Sequence, residues 1–239
     1  MGLKQIARKF SWLINRFPGI NSLKLGKAKV AFSTTLLLGS KINSKGQDNK
    51  IVFHGKGGFK NTKITIRGNG NTIEFSEGVS MDGGDILLDG DDNHFIVGKD
   101  TKFCGRIHIA IIEGTKVCIG ERGLFSSDIT IRTGDSHSVL NLQGDRINES
   151  KDVVIGNHVW VGNHVIITKG VEIADDCVVG TGSVVTSGCE EKNVVLAGVP
   201  AKIVKREITW CPERIPVKKF SCTRKKDDGR YYGNYFNAE

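Results

Sequence analysis

Proline is scarce in this chain, four residues against 30 glycines in a total of 239. That balance excludes a collagen-like or proline-rich disordered chain and leaves turn-rich folded structure in one or two domains. No two of the six cysteines (Cys104, Cys118, Cys177, Cys189, Cys211, Cys222) stand in CxxC spacing, so neither a zinc cluster nor a disulfide framework is expected. No apolar run is long enough to span a bilayer, and no cleavable leader is evident. The expectation is a reduced, cytoplasmic protein. The aromatic signature of RNA-binding sheets and the pattern of a recognition helix are missing as well, so nucleic acid is not an expected partner. The net charge of +8 suits some other anion: an acidic glycan, a phosphate-bearing cofactor or a membrane surface.

What the chain does have is an array. Ile155, Val161, Ile167, Ile173, Val179 and Val185 recur every six residues, with Val159, Val165 and Val171 as a second row in the same phase. Gly156, Gly162 and Gly180, with Asn157, Asn163 and Asp175, fill the turn positions. One aliphatic per six residues fits neither an α-helix nor an alternating strand, but it fits a coil of very short parallel strands with corners turned by Gly, Asn and Asp. Stacked turns bury both rows, each covering what its neighbour cannot cover alone.

The reading divides the chain into an N-terminal cap (1–20), a β-coil body (21–208) and a basic tail (209–239). Within the body, 26–134 reads as looser, irregular coils, 133–152 as a polar loop without the six-residue phase, and 153–187 as regular hexapeptide coils. Residues 3–17 set Leu3, Ile6, Phe10, Leu13, Ile14 and Phe17 along one side of a basic amphipathic helix that Pro18 and Gly19 stop. A cap on the open coil end is the preferred role, and a membrane-surface anchor is the alternative. The loop is the first place to look for chemistry, because excursions from a rigid scaffold favour functional groups.

Three segments carry a resemblance: Val154-Ile155-Gly156-Asn157-His158-Val159-Trp160-Val161-Gly162, Val184-Val185-Thr186, and Ala197-Gly198-Val199-Pro200-Ala201-Lys202. Together they are similar to the hexapeptide-repeat acetyltransferase superfamily over roughly 130–208. Gly134-Asp135-Ser136-His137, followed by Gly144-Asp145-Arg146-Ile147-Asn148, resembles its sugar and capsular polysaccharide O-acetyltransferases more than its serine acetyltransferases. The resemblance implies an all-β, left-handed parallel β-helix that is a homotrimer, with acetyl-CoA in a groove between subunits and a carbohydrate acceptor. The handedness comes from the family alone, since general connection rules favour right-handed crossovers.

His137 matches the family's catalytic histidine, and an imidazole titrating near neutrality can take a proton from a sugar hydroxyl as it attacks the thioester. Asp135, two residues earlier, would project to the same side of an extended segment and orient that ring, or else cap a turn with Gly134. The resemblance further implies that Trp160 walls the pantetheine channel, with packing against the tail or between subunits as the alternative. It carries over Asn163, Thr181, Thr186, Ser187, Lys202 and Lys205 to the CoA groove. The two lysines are candidates for the phosphates, while Ser187 departs from the lysine of some relatives and Arg206 or the tail could substitute. Thr181 and Thr186 could equally be plain corner residues. Arg146 is a candidate for contacting an anionic acceptor or a merely solvated charge. His158 and His164 occupy the same slot in successive hexapeptides and cannot converge on one ion within a subunit, so no metal is expected. The function expected is O-acetylation of a capsular, lipopolysaccharide or precursor glycan. N-acetylation of an amino sugar or antibiotic, and a noncatalytic β-helix, are the alternatives.

Overall fold

In the computed structural model, which describes residues 11–215, alternation places each strand. In Lys63–Arg67 the side chains of Ile64 and Ile66 are buried while Lys63 and Arg67 face water. Such a strand cannot bury its inner face alone, and it pairs in parallel with Lys41–Lys45 on one side and Gly84–Asp89 on the other. Repetition of this unit gives a left-handed parallel β-solenoid of about seven turns, a prism with three faces. Eight strands, from Ser22–Lys24 to Val184–Val185, stack as the first face. The other two faces form one continuous 14-stranded sheet. They join because Lys50–Lys60 runs round a corner, its first half pairing with Thr72–Phe75 and its second half with Ser80–Asp82.

The stretch 26–134 forms wider turns than the coils after the loop. Most equivalent residues there are 22 apart, as in the hydrogen bond from Asn71 N to Asn49 Oδ1, with departures at Lys29 to Lys50 (21) and Gly84 to Ile107 (23), whereas after the loop they are 18 apart, as from Asn157 N to Asp175 Oδ1. The wider turns hide their regularity because longer strands and corners dilute the six-residue phase. Two features carry it instead. Asn49, Asn71 and Asn93 are fully buried at one corner, where the backbone N–H of each later residue bonds the side-chain oxygen of the residue one turn before. Phe53, Phe59 and Phe75 pack with ring centroids 4.7–5.1 Å apart. Every one of the six fully buried phenylalanines, Phe53 to Phe125, lies in the wider turns, while the narrower turns are filled by residues such as Ile155, Val161 and Cys177. Larger cross-section and larger side chains go together because interiors are close-packed.

Of the expected helix over 3–17, residues 3–10 lie outside the described residues. The remainder forms helix α1, Ser11–Arg16. It packs against Lys29–Leu38 through polar groups. Asn15 is fully buried, donates to Thr35 O at 2.8 Å and accepts from Leu37 N at 2.8 Å, and Ser11 donates to Ser33 O. Asn21 adds bonds to Leu37 O and Ser40 N. These contacts satisfy the edge of Lys29–Leu38 that is not paired with Lys50–Lys60, an edge that would otherwise be open to strand addition. Leu13 and Phe17, expected on the packing face, point into solvent instead.

At the other end, Val195–Gly198 turns through a cis Val199–Pro200 peptide into Ala201–Lys205, an antiparallel hairpin. Beyond it Trp210 lies against the outside of the coil, its ring stacked on His158 at 4.3 Å and its Nε1 donating to His158 O at 2.8 Å. Residues 216–239 of the tail lie outside the described residues. Among the described residues no helix is long and apolar enough to cross a membrane.

Candidate active site

The polar loop leaves the first face after Ile129–Arg132 and rejoins the second at Val153–Ile155, so it occupies one edge of the prism. It departs at Gly134, where any side chain would collide: a Cβ would lie 2.2 Å from Ser150 Oγ and 2.5 Å from Ile112 Cδ1. The loop folds back on itself, with Leu140 bridged to Arg146 antiparallel and Asn141 bonding Gln143 N and Asp145 N in the turn. His137 stands exposed near its root, held through its backbone: His137 O accepts from Asn148 Nδ2 at 2.7 Å. Its ring makes no hydrogen bond among the described residues. Ser136 just before it has φ of 64°, so the segment is kinked rather than extended.

That kink decides the fate of Asp135. Its carboxylate does not meet the His137 ring; it accepts from Lys169 Nζ and, at 2.9 Å, from Asn148 Nδ2. The Lys169 ammonium, then Asn148, hold the Asp135 carboxyl below the usual carboxylate range. Lys169 also donates to Asn148 O at 3.1 Å. Asn148 thus ties together Asp135, His137 O and, by its Oδ1, Val139 N at 2.8 Å, which fixes the backbone on both sides of the histidine.

Arg146 is similarly committed. It forms a bidentate pair with Glu113 at 2.7 and 2.9 Å, and Ser150 Oγ donates to the same carboxylate at 2.6 Å. Arg146 foremost, then Ser150, push the Glu113 carboxyl down to about 2. The guanidinium expected to meet the acceptor therefore anchors the loop to the coil. Sequence reasoning missed Glu113, Asn148, Ser150 and Lys169, whose contacts with the loop and its anchors reach across 9 to 37 residues. The signal that could have found Lys169 is the 18-residue coil: it sits one turn beyond Lys151, beside Gly170, whose N–H bonds Asp152 O.

The remaining candidates divide between edges. Thr186 and Ser187 lie exposed on the same edge as the loop, two turns further along. Ser187 and Lys202 line a cleft of about 720 Å³ between that edge and the terminal hairpin, with Glu172, Glu190 and Glu191 on its acidic side. Lys202 and Lys205 are exposed with no ion pair among the described residues, so their ammonium groups are available to phosphate. Arg206 is taken by Glu191 at 2.9 Å. Asn163 and Thr181 lie on the neighbouring edge. There Asn163 Oδ1 accepts from Ser127 N at 3.0 Å and Asn163 O from Gly182 N, both corner roles. Trp160, 39% exposed, lies on a third-face strand with its ring 6.0 Å from that of Trp210. Within one subunit these groups do not converge. His158 bonds Asp176 at 2.9 Å, and no cluster of three metal-ligating side chains occurs among the described residues.

Comparison with known proteins adds three findings. Residues 152–187 match the family described as bacterial transferase hexapeptide (six repeats). The chain is 36% identical over 179 residues to a polysialic acid O-acetyltransferase of Neisseria meningitidis, covering 74% of this chain and 82% of that protein. Two solved structures share the fold closely. The polySia-specific acetyltransferase NeuO has a TM-score of 0.74 at 28% identity, covering 84% of this chain and 93% of its own. The polysialic acid O-acetyltransferase OatWY has 0.69 at 30%, covering 89% and 96%.

Proposed function

The chain belongs to the hexapeptide-repeat acetyltransferase superfamily, and from that premise we propose that it transfers acetyl from acetyl-CoA to a hydroxyl of an acidic bacterial capsular polysaccharide. The observation that carries this reading is the loop: an exposed histidine on a backbone held by buried Asn148, on a chain similar over most of its length to polysialic acid O-acetyltransferases.

In the proposed reaction His137 takes the proton of the attacking hydroxyl while its oxygen bonds to the thioester carbon. The tetrahedral intermediate collapses by breaking the C–S bond, and the imidazolium returns the proton to the departing thiolate. Asp135 acts indirectly: its carboxylate, shared between Lys169 and Asn148, stiffens the segment that carries His137. Lys202 and Lys205 are assigned to the CoA phosphates, and Ser187 to the cleft beside them. Asn163, Thr181 and Trp160 lie on other parts of the prism, so a groove uniting them with His137 requires a second copy of the chain. A homotrimer supplies it by symmetry.

Incubation with acetyl-CoA and a panel of acidic and neutral glycans, following free thiol, tests the reading. Thiol release that depends on acidic glycan, with acetyl recovered as an ester cleaved by mild alkali, is the expected result. An alkali-stable product would instead mean N-acetylation, and absence of both thiol release and acetyl-CoA binding would mean a noncatalytic solenoid.

A further inference from the structure

The end of the solenoid closed by helix α1 differs in charge from the rest of the molecule. Residues 1–47 hold nine Lys and Arg and no Asp or Glu; the other 192 residues hold 25 cations and 26 anions. Among the described residues of that segment, 11–47, six cations stand at this end with no carboxylate among them. Arg16, Lys24, Lys27, Lys29, Lys41 and Lys45 are exposed, and none is in an ion pair among the described residues. Further along the prism the pattern changes, with Lys63 on Asp85, Arg67 on Asp89 and Arg106 on Asp128. Like charges even stack directly at the basic end, Lys41 beside Lys63 and Lys45 beside Arg67, an arrangement that is unfavourable for the fold by itself.

The second observation is the orientation of α1. Its polar residues Ser11 and Asn15 face the protein, while Leu13 and Phe17 are 52% and 57% exposed, followed by Ile20 at 37%. This inverts the usual arrangement of a helix on a soluble domain, in which the apolar stripe faces inward. Outward apolar side chains on the same end of the chain as exposed cations outside any ion pair among the described residues match the interfacial segments that enter the headgroup region of a bilayer.

We infer that the α1 end of the solenoid is a docking surface for an anionic lipid bilayer, with Leu13 and Phe17 entering the interface and Lys24 and Lys27 meeting lipid phosphates. An acidic glycan would satisfy the lysines but gives no reason for Leu13 and Ile20 to face outward, whereas a bilayer accounts for both features. The strand that leads into the His137 loop lies four turns from Lys41–Lys45, so docking at this end would hold the loop roughly 20 Å further from the lipid, at about 4.8 Å per turn.

The test is co-sedimentation of the full chain with vesicles of phosphatidylcholine alone or with about 30 mol% phosphatidylglycerol, the anionic component that lysines near a surface would sense. Binding to the mixed vesicles, weakened by high salt and at least about tenfold poorer to the neutral ones, is expected. Leu13→Asp/Phe17→Asp and, separately, Lys24→Glu/Lys27→Glu should each reduce that binding about tenfold or more while thermal midpoint and acetyl transfer to a soluble acceptor stay at wild-type levels. Equal binding to both vesicle types, no binding to either, or wild-type binding by both variants would overturn the inference. So would retention on an immobilised acidic glycan that is lost in the lysine variant while the vesicles remain unbound. Because vesicle binding is read without turnover, its failure is separate from failure of the acetyltransferase reading.

Discussion

At the residue scale, the site is built by side chains that hold the backbone around His137. Asn148 makes bonds to Asp135, His137 O and Val139 N from a position only 9% exposed. Replacing it with Ala leaves those groups without their partner and is expected to cost about 1–3 kcal/mol in chemical denaturation. Because Asn148 positions rather than reacts, the variant should lower kcat while the pH profile of the reaction keeps its midpoint. Glu113 gives a pH test. Its carboxyl is pushed down to about 2 by Arg146, against about 4.3 in an unfolded chain. A depressed carboxylate contributes stability that is complete above the unfolded value and is lost as pH falls toward the folded one. The loop anchor should therefore stay intact down to roughly pH 4 and release between about 4 and 2. Amide exchange of Val139 to Asn148 measured across that range should show the release, and Glu113→Gln should make exchange fast at all pH values. None of these contacts was legible in the sequence. Asp135 reads equally as a partner of the His137 ring or as a turn cap with Gly134, and only the positive φ of Ser136 turns it from the ring.

At the element scale, what could be read depended on strand length. The narrow turns use two-residue strands such as Trp160–Val161 and Ile166–Ile167, so their repeat shows as one aliphatic every six residues. The wide turns use strands of up to 11 residues, and their 22-residue period emerges only when buried Asn and Phe positions are compared across turns. The corner ladder makes that period testable. In Asn71→Ala, Asn93 N and Gly90 O both lose a buried partner, so the variant should lower the urea midpoint by an amount equivalent to about 1–3 kcal/mol. Phe75→Ala, which removes a ring from the aromatic core, should cost about 3–5 kcal/mol in the same assay. An Asn71 variant as stable as wild type would show that the ladder contributes nothing net. The cap was half legible: the helix and its place at the coil end followed from pattern, but its polar inward face did not, because the free edge of Lys29–Leu38 needs hydrogen-bond partners more than apolar cover.

At the scale of the whole molecule, the prism separates the groups that the chemistry would need together. His137, Thr186 and Ser187 share one edge, whereas Asn163 and Thr181 share another, and a single chain leaves both on its surface. This separation is not legible in the sequence, since edges are defined only once turns are stacked. Sedimentation equilibrium is accordingly expected to give three times the 26.1 kDa chain mass, with activity falling as dilution dissociates the assembly. The central claim, however, is the chemistry of one histidine, and the most direct measurement is the rate of acidic-glycan-dependent thiol release from acetyl-CoA by wild type and His137→Ala. The account predicts a fall of about 10²–10⁴-fold in the variant with its thermal midpoint unchanged, since the ring is exposed and makes no hydrogen bond among the described residues; turnover at the wild-type rate would contradict it.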